Sequence, residues 1–251
     1  MQIIITTSHK PHPQQVIKAK TLAEQVGGKY ILRRHFHFIP KETVLIVEKD
    51  GISAIKDDQK LFFHPSLAVL RKANIESDQD DHLIDSLKLN GNESVLDCTL
   101  GLGSEAILIS HFLPFGSVTC LESSKIVKLI VEDGMRSITD IPEWVKDAIS
   151  RIKIIEGDYK SFVRRSDEKF DCVYADPMFE HPGYDSISMN KLRPFADHST
   201  IEVEDIEFMK RIARKRIVIK AKWNDSIFEK YKFDSVTGSF KSNIGYGVVE
   251  L

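Results

Sequence analysis

VLDCTLGLGSEA, residues 95–106, holds a strand, a turn and the start of a helix within twelve residues. Val95 and Leu96 read as strand, and Asp97 ends it. Gly101 and Gly103 supply the turn, and Ser104-Glu105-Ala106 open a helix. In such a unit a ligand sits at the carboxyl end of the strand. Glycines let the backbone come close, and the helix start offers free N–H groups. Glu122 ends the next strand, 19 residues after Gly103. A carboxylate there can accept both hydroxyls of a ribose.

The pattern repeats outward from this stretch. Strands expected at 94–97, 117–121, 152–155, 171–175 and 216–219 alternate with helical stretches at 104–112, 124–137, 143–150, 161–165 and 203–214. Strands that alternate with helices predict an α/β fold with a mostly parallel, doubly wound, Rossmann-like sheet. KFDSVTGSF and IGYGVVEL, near the end, have no helix between them and predict an antiparallel hairpin that closes the sheet. Upstream, IIITT (3–7) reads as a strand and 13–28 as a helix begun by Pro13 and stopped by Gly27-Gly28. KYILRR reads as a second strand, and TVLIVEKDGISAI as a hairpin turning at Asp50-Gly51. These make a small N-terminal α/β unit over residues 1–60, with the larger domain over 61–251.

The chain has 251 residues and a formal net charge of -2, so it is not basic as a whole. Residues 1–41 nonetheless carry seven Lys/Arg against one acid, Glu24. That local excess suits a nucleic-acid partner. Cys98, Cys120 and Cys172 sit in apolar runs without metal-ligand spacing, which predicts reduced core thiols and a cytoplasmic protein. No apolar run has the ~18 residues of a membrane span, and the start lacks a signal-peptide layout. His35 and His37 would share a strand face, but no third ligand accompanies them, so no metal is expected.

Gly101-Leu-Gly103-Ser-Glu-Ala106 also fits the dinucleotide pattern, which is weak alone. Asp97 before the loop would repel a pyrophosphate, and Glu105 in the first helical turn is poor company for phosphates. Asp97 would suit a cationic ligand with an amino group, such as S-adenosylmethionine. Asp158 ends the third strand, where a carboxylate can hold an adenine amino group with Tyr159 beside it. Asp176 ends the fourth, in YADPMF (174–179). Four acids along one sheet edge suggest a site, because clustered carboxylates cost stability unless a ligand uses them.

The order DxxxGxG, strand-end Glu, strand-end Asp and DPxF resembles the class I S-adenosylmethionine-dependent methyltransferases. LDCTLGLGSEA, CLESS, ADPMF and RIVIKAK, with an upstream FHP, more specifically resemble the RsmJ-type ribosomal RNA small subunit guanine-N2 methyltransferases and their relatives. The resemblance covers about residues 61–222. It implies S-adenosylmethionine as cofactor, held by Asp97, Gly101, Gly103, Ser104, Glu105, Glu122, Ser123, Asp158, Tyr159 and Asp176. It implies Asp176, Pro177 and Phe179 as the catalytic group. Hydrogen bonds from an exocyclic amine to Asp176 and to the Pro177 carbonyl favour a pyramidal nitrogen whose lone pair can attack a methyl group. Phe179 would stack on the base.

MKRIARKRIVIKAK (209–222) carries seven Lys/Arg and no acid, and with the basic first 41 residues predicts an RNA-facing surface. Arg193, Lys220 and Lys222 are the candidate substrate contacts. The loop 180–199, with Pro182 and Gly183, is long enough for a lid. RNA, most specifically the small ribosomal subunit, is the expected partner. Rival readings are methylation of DNA or a small amine, an NAD-dependent oxidoreductase using GLGSEA, and a non-catalytic RNA-binding module.

Overall fold

The computed structural model describes residues 3–37, 42–181 and 187–251. Its elements in chain order begin with β1 (Ile3–Thr7), α1 (Pro13–Val26), β2 (Lys29–Tyr30), β3 (Thr43–Glu48), β4 (Gly51–Lys56) and β5 (Gln59–Phe62). There follow α2 (Ser66–Glu76), α3 (His82–Leu87), β6 (Ser94–Asp97), α4 (Ser104–His111), β7 (Ser117–Glu122), α5 (Lys125–Ser137) and α6 (Glu143–Ser150). Then come β8 (Ile152–Glu156), α7 (Tyr159–Arg165), β9 (Phe170–Ala175), α8 (Ile187–Leu192), α9 (Val203–Ile212) and β10 (Ala213–Lys222). The chain ends with α10 (Ile227–Lys230), β11 (Ser235–Ser239) and β12 (Ile244–Glu250).

Two compact units result, and neither is a single stretch of sequence. The first draws on residues 1–64, 125–140 and 184–196, so the division is not one cut near residue 60. Its sheet runs β2-β1-β3-β4-β5. α1 starts on Pro13, with the Gln15 side chain accepting the His12 N–H at 2.8 Å. It stops where Gly27 turns left-handed (φ 64) and the Gly28 N–H reaches Ala23 O at 2.8 Å. α1 buries Ala19, Leu22 and Ala23.

Two expectations in this unit fail. KYILRR is a strand only at Lys29–Tyr30, because only Ile4 and Ile5 of β1 pair with it, and Arg33–His35 coil into a 3-10 turn. His35 and His37 therefore share no strand face. β5 was not foreseen at all: it pairs with β4 through a turn in which Asp57 and Asp58 both take positive φ (48° and 60°). Lys41, one of the seven basic residues of 1–41, and Pro182 and Gly183 of the expected lid lie outside the described residues.

The second unit comprises 65–124, 141–183 and 197–251. Its sheet runs β11-β12-β10-β9-β6-β7-β8, parallel except that β12 runs against both neighbours, as the late hairpin predicted. This is the mostly parallel, Rossmann-like sheet that the alternating strands and helices predict. Val95, Leu96, Val173, Ile217 and Ile219 on its central strands are wholly buried, which suits strands covered on both faces. Cys98, Cys120 and Cys172 are free and buried, packed as small core residues. Chain order reverses at β6: the chain leaves it for β7 and β8, then returns to β9 on the other side. Such a switch point opens a crevice at the strand ends.

Candidate active site

The carboxyl ends of β9, β6, β7 and β8 are adjacent, so Asp176, Asp97, Glu122 and Asp158 follow one another along one edge. Register explains their proximity. Asp97 pairs with Tyr174 on β9, and the Cys98 N–H donates to Tyr174 O at 2.8 Å. Ile219 on β10 pairs with Ala175, so the next residues, Lys220 and Asp176, come side by side.

Asp97 is 1% exposed. Its Oδ1 accepts the Thr99 N–H at 2.9 Å, while Oδ2 is buried without a partner. Burial, reinforced by the neighbouring charges of Glu105, Asp176 and Glu122, pushes its pKa up to about 7. Gly101 and Gly103 take the left-handed conformations that a side chain disfavours (φ 52° and 75°), and Gly103 caps α4. The Gly101 N–H donates to Glu122 Oε2 at 3.0 Å, and the Ser124 N–H to Oε1 at 2.8 Å. Burial also raises Glu122 to about 7. Asp158 caps α7, accepting from the Ser161 N–H at 2.9 Å, and Tyr159 is buried with its hydroxyl unpartnered. Backbone donors outweigh burial at Asp158 and hold its pKa below the usual carboxylate range. Ser104 opens α4, and Ser123 is exposed just after β7.

These groups fit S-adenosylmethionine. Asp97 offers a dry, unspent acceptor to a donor or cation, Glu122 is an acidic neighbour, and the glycine turn leaves room for close backbone approach.

Asp176 stands in a charge network that sequence reasoning did not find. Its N–H donates to Thr99 Oγ1 at 2.7 Å, and its Oδ2 accepts from Lys220 Nζ at 2.6 Å. Lys220 also reaches Glu105 Oε1 at 3.0 Å, as does Arg71 at 3.2 Å, while the Tyr174 hydroxyl donates to Glu105 Oε2 at 2.6 Å. Burial raises Glu105, but Lys220 and then Arg71 outweigh it and hold its pKa at about 2. Burial dominates at Asp176, where Lys220 only partly offsets it, and its pKa rises to about 6. Glu105, first read as a cofactor contact, thus has both oxygens engaged inside the protein.

The basic run of 209–222 is largely spent on acids of its own chain. Lys215 meets Glu93 at 3.3 Å, Arg216 grips Glu250, and Lys220 is in the network above. Because β10 lies inside the sheet, its cations meet neighbouring strands and loops rather than forming an open stripe. Lys222 is half-buried and gives its N–H to Asp225 Oδ2 at 3.0 Å. Arg193 belongs to the first unit, where it opens a 3-10 turn. Pro177, Met178 and Phe179 line a pocket with Thr200, Asp225 and Ile227. Among the described residues, no group of three or more His, Cys, Asp or Glu could hold a metal, and no helix is long and apolar enough to cross a membrane.

A family model described as "Putative SAM-dependent methyltransferase" matches residues 41–238. The chain is 31% identical to "Uncharacterized protein YpiP" of Bacillus subtilis, over 98% of this chain and 99% of that one. It is 25% identical to ribosomal RNA small subunit methyltransferase J of Shewanella sediminis, over 74% of this chain and 72% of the relative. Among solved structures, the SAM-dependent methyltransferase NGO1261 of Neisseria gonorrhoeae superposes with a TM-score of 0.70 at 18% identity, over 98% of this chain and 95% of the other.

Proposed function

We infer the reaction from one premise: the chain belongs to the family of S-adenosylmethionine-dependent methyltransferases. The acceptor we read is an exocyclic amine of an RNA base, most specifically guanine N2 of small-subunit ribosomal RNA. One observation carries this reading: Asp176-Pro177-Met178-Phe179 begins where β9 ends, beside Asp97, and three of its residues line a pocket.

S-adenosylmethionine, when bound, supplies a methyl group on a sulfonium. Asp97, Gly101, Gly103 and Ser104 would hold it on one side of the edge, and Glu122, Ser123, Asp158 and Tyr159 on the other. An exocyclic base amine is a poor nucleophile because its lone pair is delocalised into the ring. Asp176 and the Pro177 carbonyl can each accept one of its hydrogens, which turns the lone pair out of the ring plane. Proline has no N–H of its own and fixes the turn that presents that carbonyl. Lys220 fixes Asp176 in place, so positioning and electrostatics do most of the work. Asp176, which protonates more readily than an ordinary carboxyl, can take the amine's proton after transfer. Phe179 offers a ring for the base, worth about 1–3 kcal/mol.

RNA is favoured by the named function of the methyltransferase J relatives. It is also favoured by the first unit, where Lys10, Lys20, Lys29 and Arg34 are exposed. A dinucleotide would set its pyrophosphate against Asp97 and leave the Asp176 turn without a role.

The test is methyl-labelled S-adenosylmethionine with small ribosomal subunits from cells lacking the gene, with Asp176→Ala alongside. Label released as N2-methylguanosine, and lost in the variant, is the expected result. No label in RNA, with cofactor binding intact by calorimetry, would sink the ribosomal substrate.

A further inference from the structure

Two acids that the amine does not need line the pocket, Glu180 and Asp225, and Glu180 has both oxygens taken by the Ser226 N–H and hydroxyl. Asp225 follows β10, in the turn before α10, and is 4% exposed. Its N–H donates to Lys222 O at 2.9 Å while its Oδ2 accepts the Lys222 N–H at 3.0 Å, so the turn closes on itself and fixes the side chain. The other oxygen, Oδ1, is buried and has no hydrogen-bond partner. Asp225 lines the same pocket as Pro177, Met178 and Phe179. A buried acceptor without a donor is costly, and a ligand that brings the donor recovers that cost.

We propose that Asp225 selects the base: its free carboxylate oxygen accepts the ring N1–H that lies next to the N2 amine of guanine. This rests on the reading of an exocyclic base amine as the methyl acceptor. With the amine held by Asp176 and Pro177, the neighbouring ring atom decides which base fits. In guanine that atom is N1, which carries a hydrogen. In adenine the atom beside the N6 amine is N1 with a lone pair, and in cytosine it is N3 with a lone pair. A carboxylate at that point attracts the first and repels the other two, a discrimination built from attraction and repulsion together. Asp225 is thus a specificity residue that touches the base and not the reacting nitrogen.

Asp225→Asn isolates this role, because an amide oxygen can still accept from Lys222 while an NH2 group replaces the free oxygen. Wild type and variant are given methyl-labelled S-adenosylmethionine with total RNA and with small ribosomal subunits, both from cells lacking the gene. Methylated nucleosides are then quantified. In the variant, kcat/KM for N2-methylguanosine should fall about 10- to 100-fold, with cofactor affinity and Tm unchanged. N6-methyladenosine and N4-methylcytidine should rise relative to it. A second measurement needs no variant: synthetic RNA with 2-aminopurine at the labelled guanine keeps the amine but lacks N1–H. Wild type should lose a similar factor on it, and Asp225→Asn should not discriminate. Undiminished N2-methylguanosine formation by the variant, or equal wild-type rates on guanine and 2-aminopurine, overturns the role of Asp225 and leaves methyl transfer intact. No methylated nucleoside from wild type in either RNA pool overturns both.

Discussion

Lys220 Nζ lies 2.6 Å from Asp176 Oδ2 and 3.0 Å from Glu105 Oε1, one cation between two largely buried carboxylates with opposite titration behaviour. Glu105 has a second cation in Arg71 and stays ionised to about pH 2, whereas burial brings Asp176 to about 6. In the proposed reaction, amine binding needs Asp176 as a carboxylate, so the methyl-transfer rate should fall as pH drops through about 6. Lys220→Met removes the cation that favours the charged form. Its acid limb should move to higher pH by about one unit or more, read from initial rates between about pH 5 and 9. An unmoved limb would mean that Asp176 does not govern the profile.

Glu105→Gln should do the reverse. The Glu105 charge pushes Asp176 up, so removing it lets Asp176 ionise at lower pH and moves the acid limb down. The same change leaves Arg71 and Lys220 short of an anion in a largely buried place. Stability should drop by about 2–3 kcal/mol in urea titration. A loss of stability with a limb displaced upward would contradict this account of the network.

In the proposed site, Asp97 and Glu122 link the cofactor to protons. Both titrate near 7 in the fold, against ordinary values of 3.8 and 4.5. The folded chain therefore holds more protons than the unfolded one between about pH 4 and 7, and stability contributed there is lost as pH rises across that window. Donors from S-adenosylmethionine favour the charged carboxylates, so binding should release protons at pH ~6.5 and almost none at pH ~8.5. Calorimetry in buffers of different ionisation enthalpy reads the difference. Binding without proton release at the lower pH would place the cofactor elsewhere.

Asp205 is a purely architectural acid by comparison. It is fully buried, takes the Glu202 N–H at 3.0 Å to start α9, and pairs with Lys160 at 3.0 Å. Asp205→Ala removes the cap and strands the lysine, which should cost about 3 kcal/mol. The affinity for S-adenosylmethionine at a permissive temperature should not change.

The β6 loop and α4 were legible because everything that shapes them is local: apolar strand, two glycines, helix opening. The run of parallel strands was legible for the same reason, each being a short apolar stretch between helical ones. Contacts between strands were not. Lys220 sits in a basic run 44 residues after Asp176, and only the register of β10 against β9 turns it from an apparent RNA contact into a counter-ion. Arg71 reaches Glu105 from a helix 34 residues away, with no local pattern to announce it. The β4–β5 turn escaped notice because aspartates, not Asn-Gly, fill its two left-handed positions. Asp225 stands in no sequence motif, and what marks it is an oxygen buried without a donor in a residue that lines the pocket.

The reversal of chain order at β6 has a consequence for how such a protein changes over time. In the proposed reaction the donor is gripped by turns after β6, β7 and β8, while the acceptor is met by turns after β9 and β10. The two sets share an edge but not a single loop. Lineages can therefore rewrite the 177–180 and 223–226 turns, and so redirect the methyl group to a new target, without renegotiating the machinery that loads it.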